Sequence, residues 1–168
     1  LAVDALMLGG AMAIWPEWYA PGIGEGSGRR FARAWSEPPV VVRDAAWFES
    51  DGDPWWQNGI LHPVFGSEMH LAWRGFGHGP AESFLFAAAA SAFWEYAIEA
   101  WYKRPSAVDL LWTPLAGAIL GELRYQLWRA AREGDAPRAL RRTAMALLDP
   151  LGELQRALAG CGRTPPDR

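Results

Sequence analysis

Ionisable and small polar residues recur every four positions inside segments otherwise made of Trp, Phe, Leu and Ala. An unpaired charge inside an apolar body is costly, so a chain with this pattern has few ways to fold. Its apolar stretches must be helices, and the polar stripes of those helices must turn toward one another or toward a ligand. In the helix predicted to open at Pro63, Gly66, His70 and Arg74 share one stripe, with Asn58 and His62 just ahead of it. Ser83, Ala87, Ser91, Glu95 and Glu99 form a second stripe. Asp109, Thr113, Gly117 and Gly121 form a third, with Glu122 offset from it. Four-residue steps drift by ~40° per step around an ideal helix, so each stripe winds slowly across one face.

Proline and glycine punctuate the chain. Residues 1–16 read as an apolar helix, 17–54 as an irregular Gly/Pro-rich connector, 55–160 as a helical core and 161–168 as a tail, all within a single domain spanning 1–168. The core breaks into helices over about 63–75, 81–103, 107–132, 138–148 and 150–159. Phe31–Trp35 is expected to form a single helical turn, and Pro38–Val42 an extended run. Ser106 is expected to cap the helix that follows it, with Asp109 supporting its first turn. The expected fold class is all-α, a compact bundle of about four to five short helices, embedded in or associated with a membrane.

The membrane expectation rests on eleven Trp, a residue enriched at lipid–water and protein–protein interfaces. Ala5–Pro16, Ser83–Trp94 and Leu110–Gly121 are long stretches free of formal charge. Each is well short of the ~20 residues that a spanning helix needs. Short helices lying in or against a lipid surface, or sheltered in a larger assembly, fit better. Trp94, Trp101, Trp112 and Trp128, with Arg129, Arg138, Arg141 and Arg142, form the expected surface for lipid or a partner.

A net charge of −3 provides no basic field, which argues against nucleic acid as a partner. The single cysteine, Cys161, excludes an internal disulfide and a cysteine-based metal site. Fifteen of the sixteen basic residues are Arg; the sole lysine, Lys103, reads as a consequence of GC-rich codon usage. His62, His70, Glu95 and Glu99 are suitable ligand types for zinc or iron, but no Glu-x-x-His or His-Glu-x-x-His spacing is present, so no metal and no cofactor are expected. No Gly-x-Ser-x-Gly nucleophile elbow exists either.

The expected site is therefore a buried polar network of Asn58, His62, Arg74, Ser91, Glu95, Glu99, Asp109 and Glu122 that holds the helices in register. Gly117 and Gly121 are expected to pack helix on helix, with Ala87–Ala90 as the facing surface. The function expected from this is a non-enzymatic, membrane-associated scaffold or accessory subunit of a larger complex. The alternative is a lipid-processing hydrolase or metal-dependent enzyme that uses His62 with Glu95 or Glu99.

Taken in order, the polar words resemble a known family. Asn58, His62-Pro63-x-x-Gly66-Ser67, Arg74-Gly75-Phe76-Gly77, Ser91-x-x-Trp94-Glu95-Tyr96-x-x-Glu99, Pro105-Ser106-x-x-Asp109, Thr113-Pro114 and Gly121-Glu122 are similar to the pattern of DUF3943, a domain of unknown function. Asp149-Pro150-Leu151-Gly152 resembles a word near that family's end, and the similarity covers about residues 50–155. The resemblance implies a helical, membrane-associated protein of the bacterial cell envelope, with no activity attached to it. It also implies that His62, Arg74, Glu95, Glu99, Asp109 and Glu122 belong to one shared site. Met69-His70 departs from the family's aromatic pair, which argues against a role for His70.

Overall fold

The computed structural model describes residues 26–158. The expected helix 1–16, the first part of the connector and the tail 161–168 lie outside the described residues. The described chain is all-helical, with six α-helices: α1 Ser27–Ser36, α2 His62–Gly75, α3 Pro80–Phe93, α4 Ala107–Glu133, α5 Arg138–Leu148 and α6 Pro150–Leu158. The described part of the connector is more ordered than expected. Phe31–Trp35 lies within the ten-residue α1, and a 3-10 turn covers Trp47–Glu49. The Pro38–Val42 run meets the start of α4 through a single parallel bridge between Val40 and Ser106. α4 is not short; its 27 residues run unbroken through Pro114.

Local chemistry sets the helix ends. Pro80 opens α3 at a position where its missing N–H is harmless. The Glu82 carboxylate accepts from the Gly79 N–H at 2.9 Å. Ser106 caps α4 by accepting from the Asp109 N–H at 3.2 Å, a contact typically worth ~1 kcal/mol.

α4 is the central helix, and α2 lies along it at very close range. A Cβ on Gly117 would sit 2.6 Å from the Gly66 backbone, and one on Gly121 would sit 2.8 Å from His70 Cβ. This corrects the expected partner of Gly117 and Gly121. They admit α2 through Gly66 and His70, not the Ala87–Ala90 segment of α3. Small residues at four-residue spacing permit close approach, but they do not name the neighbour.

Two π-helical turns interrupt the regular helices, at Gln57–Leu61 ahead of α2 and at Trp94–Ile98 after α3. Their effect on the stripes is direct. In an ideal helix the drift from Ser83 to Glu99 would come to roughly 160°, carrying the last member toward solvent. Instead Ser83, Ala87, Ser91, Glu95 and Glu99 are all buried. The wide turn takes more residues per turn, so each residue rotates less, and this offsets the drift that would carry the glutamates outward.

The resulting interior is unusual. Leaving glycine and proline aside, thirteen polar or charged residues are buried among the described residues, against seven apolar ones. Large apolar side chains lie outside, including Leu111, Leu115, Ile119, Leu123 and Leu127 along one edge of α4. None of the described helices is long and apolar enough to cross a membrane.

Candidate functional site

The residues of the expected network fall into two clusters instead of one. The first gathers where the loop before α2, the π turn after α3 and the start of α4 converge. Ser106 is its hub. Its N–H donates to Glu95 Oε2 at 2.7 Å, its hydroxyl donates to Asp51 Oδ2 at 2.5 Å, and its oxygen accepts from the Asp109 N–H. Asn58 Nδ2 donates to Asp51 Oδ1 at 2.8 Å and to the Phe48 carbonyl at 3.0 Å. Lys103 Nζ lies 2.6 Å from Asp53 Oδ2 and 3.1 Å from Glu99 Oε2. Gln57 donates to the same Asp53 oxygen at 3.0 Å. Ser91 donates to the Asp109 carbonyl at 3.0 Å, which ties α3 to α4. His62 Nδ1 lies 3.2 Å from Thr113 Oγ1 and 3.6 Å from Asp109 Oδ1.

The charges in this cluster do not balance. It contains five carboxyl groups (Asp51, Asp53, Glu95, Glu99 and Asp109) and one lysine. Burial drives His62 down to about 4, so its ring is neutral near pH 7 and supplies no positive charge. With every acid ionised, one positive charge against five negative charges leaves a net of −4. The interior responds as low-dielectric sites do. Burial, reinforced by the neighbouring Glu99 charge, holds Glu95 well above the usual carboxylate range. Burial pushes Asp109 up to about 8 against the pull of Lys103. Burial alone would lower Lys103, but Glu99 and Asp53 overcome it and hold its ammonium well above the ordinary value. Asp109 is 1% exposed, and among the described residues no donor lies within hydrogen-bond reach of either of its carboxylate oxygens.

The second cluster lies further along α2 and α4. Arg74 Nε pairs with Glu122 Oε2 at 2.9 Å, and the guanidinium stacks 4.0 Å over the Tyr125 ring. His70, expected to be uninvolved, is fully buried and reaches Glu122 Oε2 at 3.1 Å. Burial favours the neutral form of Glu122, but bonds from Gln126 and His70 and the charge of Arg74 outweigh it, so Glu122 lies below its usual value. Eight residues separate His62 from His70, a rise of ~12 Å along a helix. Arg74 and Glu122 therefore form a separate brace between α2 and α4, apart from His62 and Asp109. The four-residue repeat carries the polar stripe past both clusters without marking the break between them.

Three charged members of the first cluster, Asp51, Asp53 and Lys103, lie outside the expected network. Asp51 and Asp53 come from the connector, where Gly52 adopts φ +96°, a conformation that favours glycine. Lys103, the only lysine, is placed at the centre of the acids, so its rarity marked a position and not merely codon usage. The Asp51-Gly52-Asp53 word seven residues ahead of Asn58 was the available signal.

The expected outer surface also changes. Trp128 is only 6% exposed. Its Nε1 donates to Glu153 at 2.9 Å, and Arg132 and Arg156 lie against its ring at 5.5 and 4.9 Å. α6 covers it, so it belongs to the interior. Arg141 is spent on the Arg132 carbonyl. Trp94 packs near Phe65 and Trp112 near Phe48, both half-buried. Trp101 is exposed and stacks on Phe31 at 4.4 Å. Arg129 pairs with Glu133, while Arg138 and Arg142 are exposed.

No curated protein and no solved structure matches this chain. The sequence profile of DUF3943, a domain of unknown function, matches residues 47–151. That range holds every residue of both clusters, from Asp51 to Gln126. The chain belongs to the DUF3943 family.

Proposed function

We propose that this protein is a membrane-associated scaffold or accessory subunit of a bacterial envelope complex, and that its apolar exterior docks onto lipid. The observation that carries this reading is the stripe Leu111, Leu115, Ile119, Leu123 and Leu127 on α4, each about half exposed or more, with Ile119 at 75%. Full burial of one such side chain contributes ~1.5–3 kcal/mol, so half-exposed side chains over four turns offer several kcal/mol of gross attraction to an apolar phase. Leu85 and Phe93 on α3 and Val64 on α2 extend the exposed apolar surface. On α5, Arg138 and Arg142 are exposed beside Leu140 and Leu147, a composition suited to the headgroup boundary. Association, not spanning, suits helices of this length and charge.

The test is flotation of the purified chain with phosphatidylcholine vesicles containing an anionic lipid. The wild type should float, and a Leu115→Gln/Ile119→Gln/Leu123→Gln variant should remain at the bottom while keeping its helix content. A wild type that stays at the bottom as a monomer would sink the lipid reading; one that stays there as a stable oligomer would turn it toward a protein partner.

A second reading is favoured by one observation: the first cluster is not fully paired. A network serving only to hold helix register should satisfy its own polar groups, whereas Asp109 leaves both oxygens unmatched beside a neutral His62 that is 13% exposed. A neutral imidazole beside a carboxyl group is the equipment of general acid–base chemistry. On this reading the protein is a hydrolytic or metal-dependent enzyme working at the lipid surface, with His62 as base and Glu95 or Glu99 as acid or ligand. Loss of turnover on a lipid ester in His62→Gln, with fold and flotation retained, is the outcome it requires.

A further inference from the structure

We propose that Asp51, Asp53 and Asp109 form a binding site for a divalent, oxygen-preferring cation of the magnesium, manganese or calcium class. One carboxylate oxygen from each can be chosen so that all three lie within 4.8 Å of one another. That spread suits ligands converging on a single ion at the ~2.0–2.6 Å bond lengths of these metals. The donors are all oxygens, the ligand type that selects hard cations over zinc or copper.

Proximity of acids alone would not make a site. The independent observation is the pair of Asp109 oxygens, buried to 1% exposure with no donor in hydrogen-bond reach. Every other acid of the cluster has a partner. Asp51 receives Asn58 and Ser106, Asp53 receives Lys103 and Gln57, Glu95 receives the Ser106 N–H, and Glu99 faces Lys103. A carboxylate placed without a partner at the convergence of two others is arranged for something that arrives from outside. Asn58 Oδ1, on a side chain that donates to Asp51, is also buried without a donor and is available as an acceptor for a metal-bound water.

The backbone supports this arrangement. Asp109 stands in the first turn of α4, held by the Ser106 cap. Asp51 and Asp53 stand on either side of Gly52, and the Asp53 N–H donates to Asp51 Oδ1 at 3.1 Å. The ligands thus come from one helix start and one short loop, both tied to Ser106. Lys103 pairs with both Asp53 and Glu99, but its single charge offsets only one of the five carboxylates. A divalent ion would halve the net charge of −4 that the cluster carries with every acid ionised. The site holds whether or not the apolar faces meet lipid, and its test is separate from flotation.

The experiment uses the full chain, stripped with chelator and desalted. Mn2+ is titrated and the free ion is followed by electron paramagnetic resonance, with Mg2+ and Ca2+ as competitors. Wild type should bind one Mn2+ per chain. Asp109→Asn and Asp53→Asn should each weaken binding by roughly tenfold or more, while the exposed Glu82→Gln should bind as wild type does. Asp53 lies in a loop, so Asp53→Asn decides the matter if Asp109→Asn does not fold. The melting midpoint should rise with Mn2+ in wild type and not in Asp53→Asn. The proposal is overturned by the absence of saturable binding of all three ions up to about 1 mM, the weak end of protein calcium sites, or by binding that Asp53→Asn leaves intact.

Discussion

Asp109→Asn should make the metal-free protein's stability less sensitive to pH, and the size of the effect follows from the site. Asp109 is pushed from its ordinary value of 3.8 up to about 8 in the folded chain. Between those values the folded state keeps its proton and the unfolded state has released it. The unfolded chain therefore binds fewer protons, and stability must fall as pH rises through this window. The slope from one such group is ~1.4 kcal/mol per pH unit. Comparing variant with wild type subtracts His62, whose shift does not draw on Asp109; Glu95, raised in part by the Asp109 charge, is relieved in the variant and moves the comparison in the same direction. Burial drives His62 down to about 4, so it acts in the opposite direction, losing stability as pH falls below its ordinary 6.5. The assay is urea unfolding of both proteins in chelator at about pH 5 and about pH 7. The stability gap should move in favour of Asp109→Asn by ~3 kcal/mol over that interval. A gap constant to within ~1 kcal/mol, or one that moves toward wild type, would refute the claim that a buried, proton-holding Asp109 loads the fold.

Other substitutions probe the remaining features. Lys103→Met removes the only cation of the acid cluster and leaves Asp53 and Glu99 unpaired; it should lower stability by ~3–5 kcal/mol in urea titration near neutral pH. Gly117→Ala drives a methyl into the Gly66 backbone and should cost about 1–3 kcal/mol or more, whereas Gly28→Ala, with open space around it, should be neutral or slightly stabilising. Trp128→Ala should cost ~3–5 kcal/mol in thermal or urea unfolding, a loss no solvent-facing tryptophan would produce. Ile119→Gln should leave stability within about 0.5 kcal/mol of wild type and still reduce vesicle flotation.

Much of the fold is legible in the sequence. Helix boundaries follow from proline, glycine and capping chemistry, which act within a few residues. Pro80 opens α3, Ser106 caps α4 and the Asp149-Pro150 step separates α5 from α6. The inward turn of Ser83 and Ser91 follows from four-residue spacing and the cost of exposing polar groups among apolar flanks, whereas that of Glu95 and Glu99 depends on the π turn. The partner of Gly117 does not follow, because a close-approach motif carries no address. The burial of Trp128 does not follow either, since the helix that covers it begins more than twenty residues later.

The sequence by itself determined that the protein is helical, that it belongs with the DUF3943 proteins, and that charge is carried inside its apolar segments. These are local properties, readable from residue type and spacing. Tertiary structure alone decided how that charge is distributed. It split the polar stripe into a brace at His70, Arg74 and Glu122 and an acid cluster around Ser106. It brought Asp51, Asp53 and the sole lysine into that cluster from outside any motif. Two π turns carry Asn58 and Glu95 in the interior, each a local addition of about one residue per turn that four-residue spacing does not predict. The physical reason is that helices are specified by near neighbours, whereas the balance of buried charge depends on residues that meet only when the chain folds.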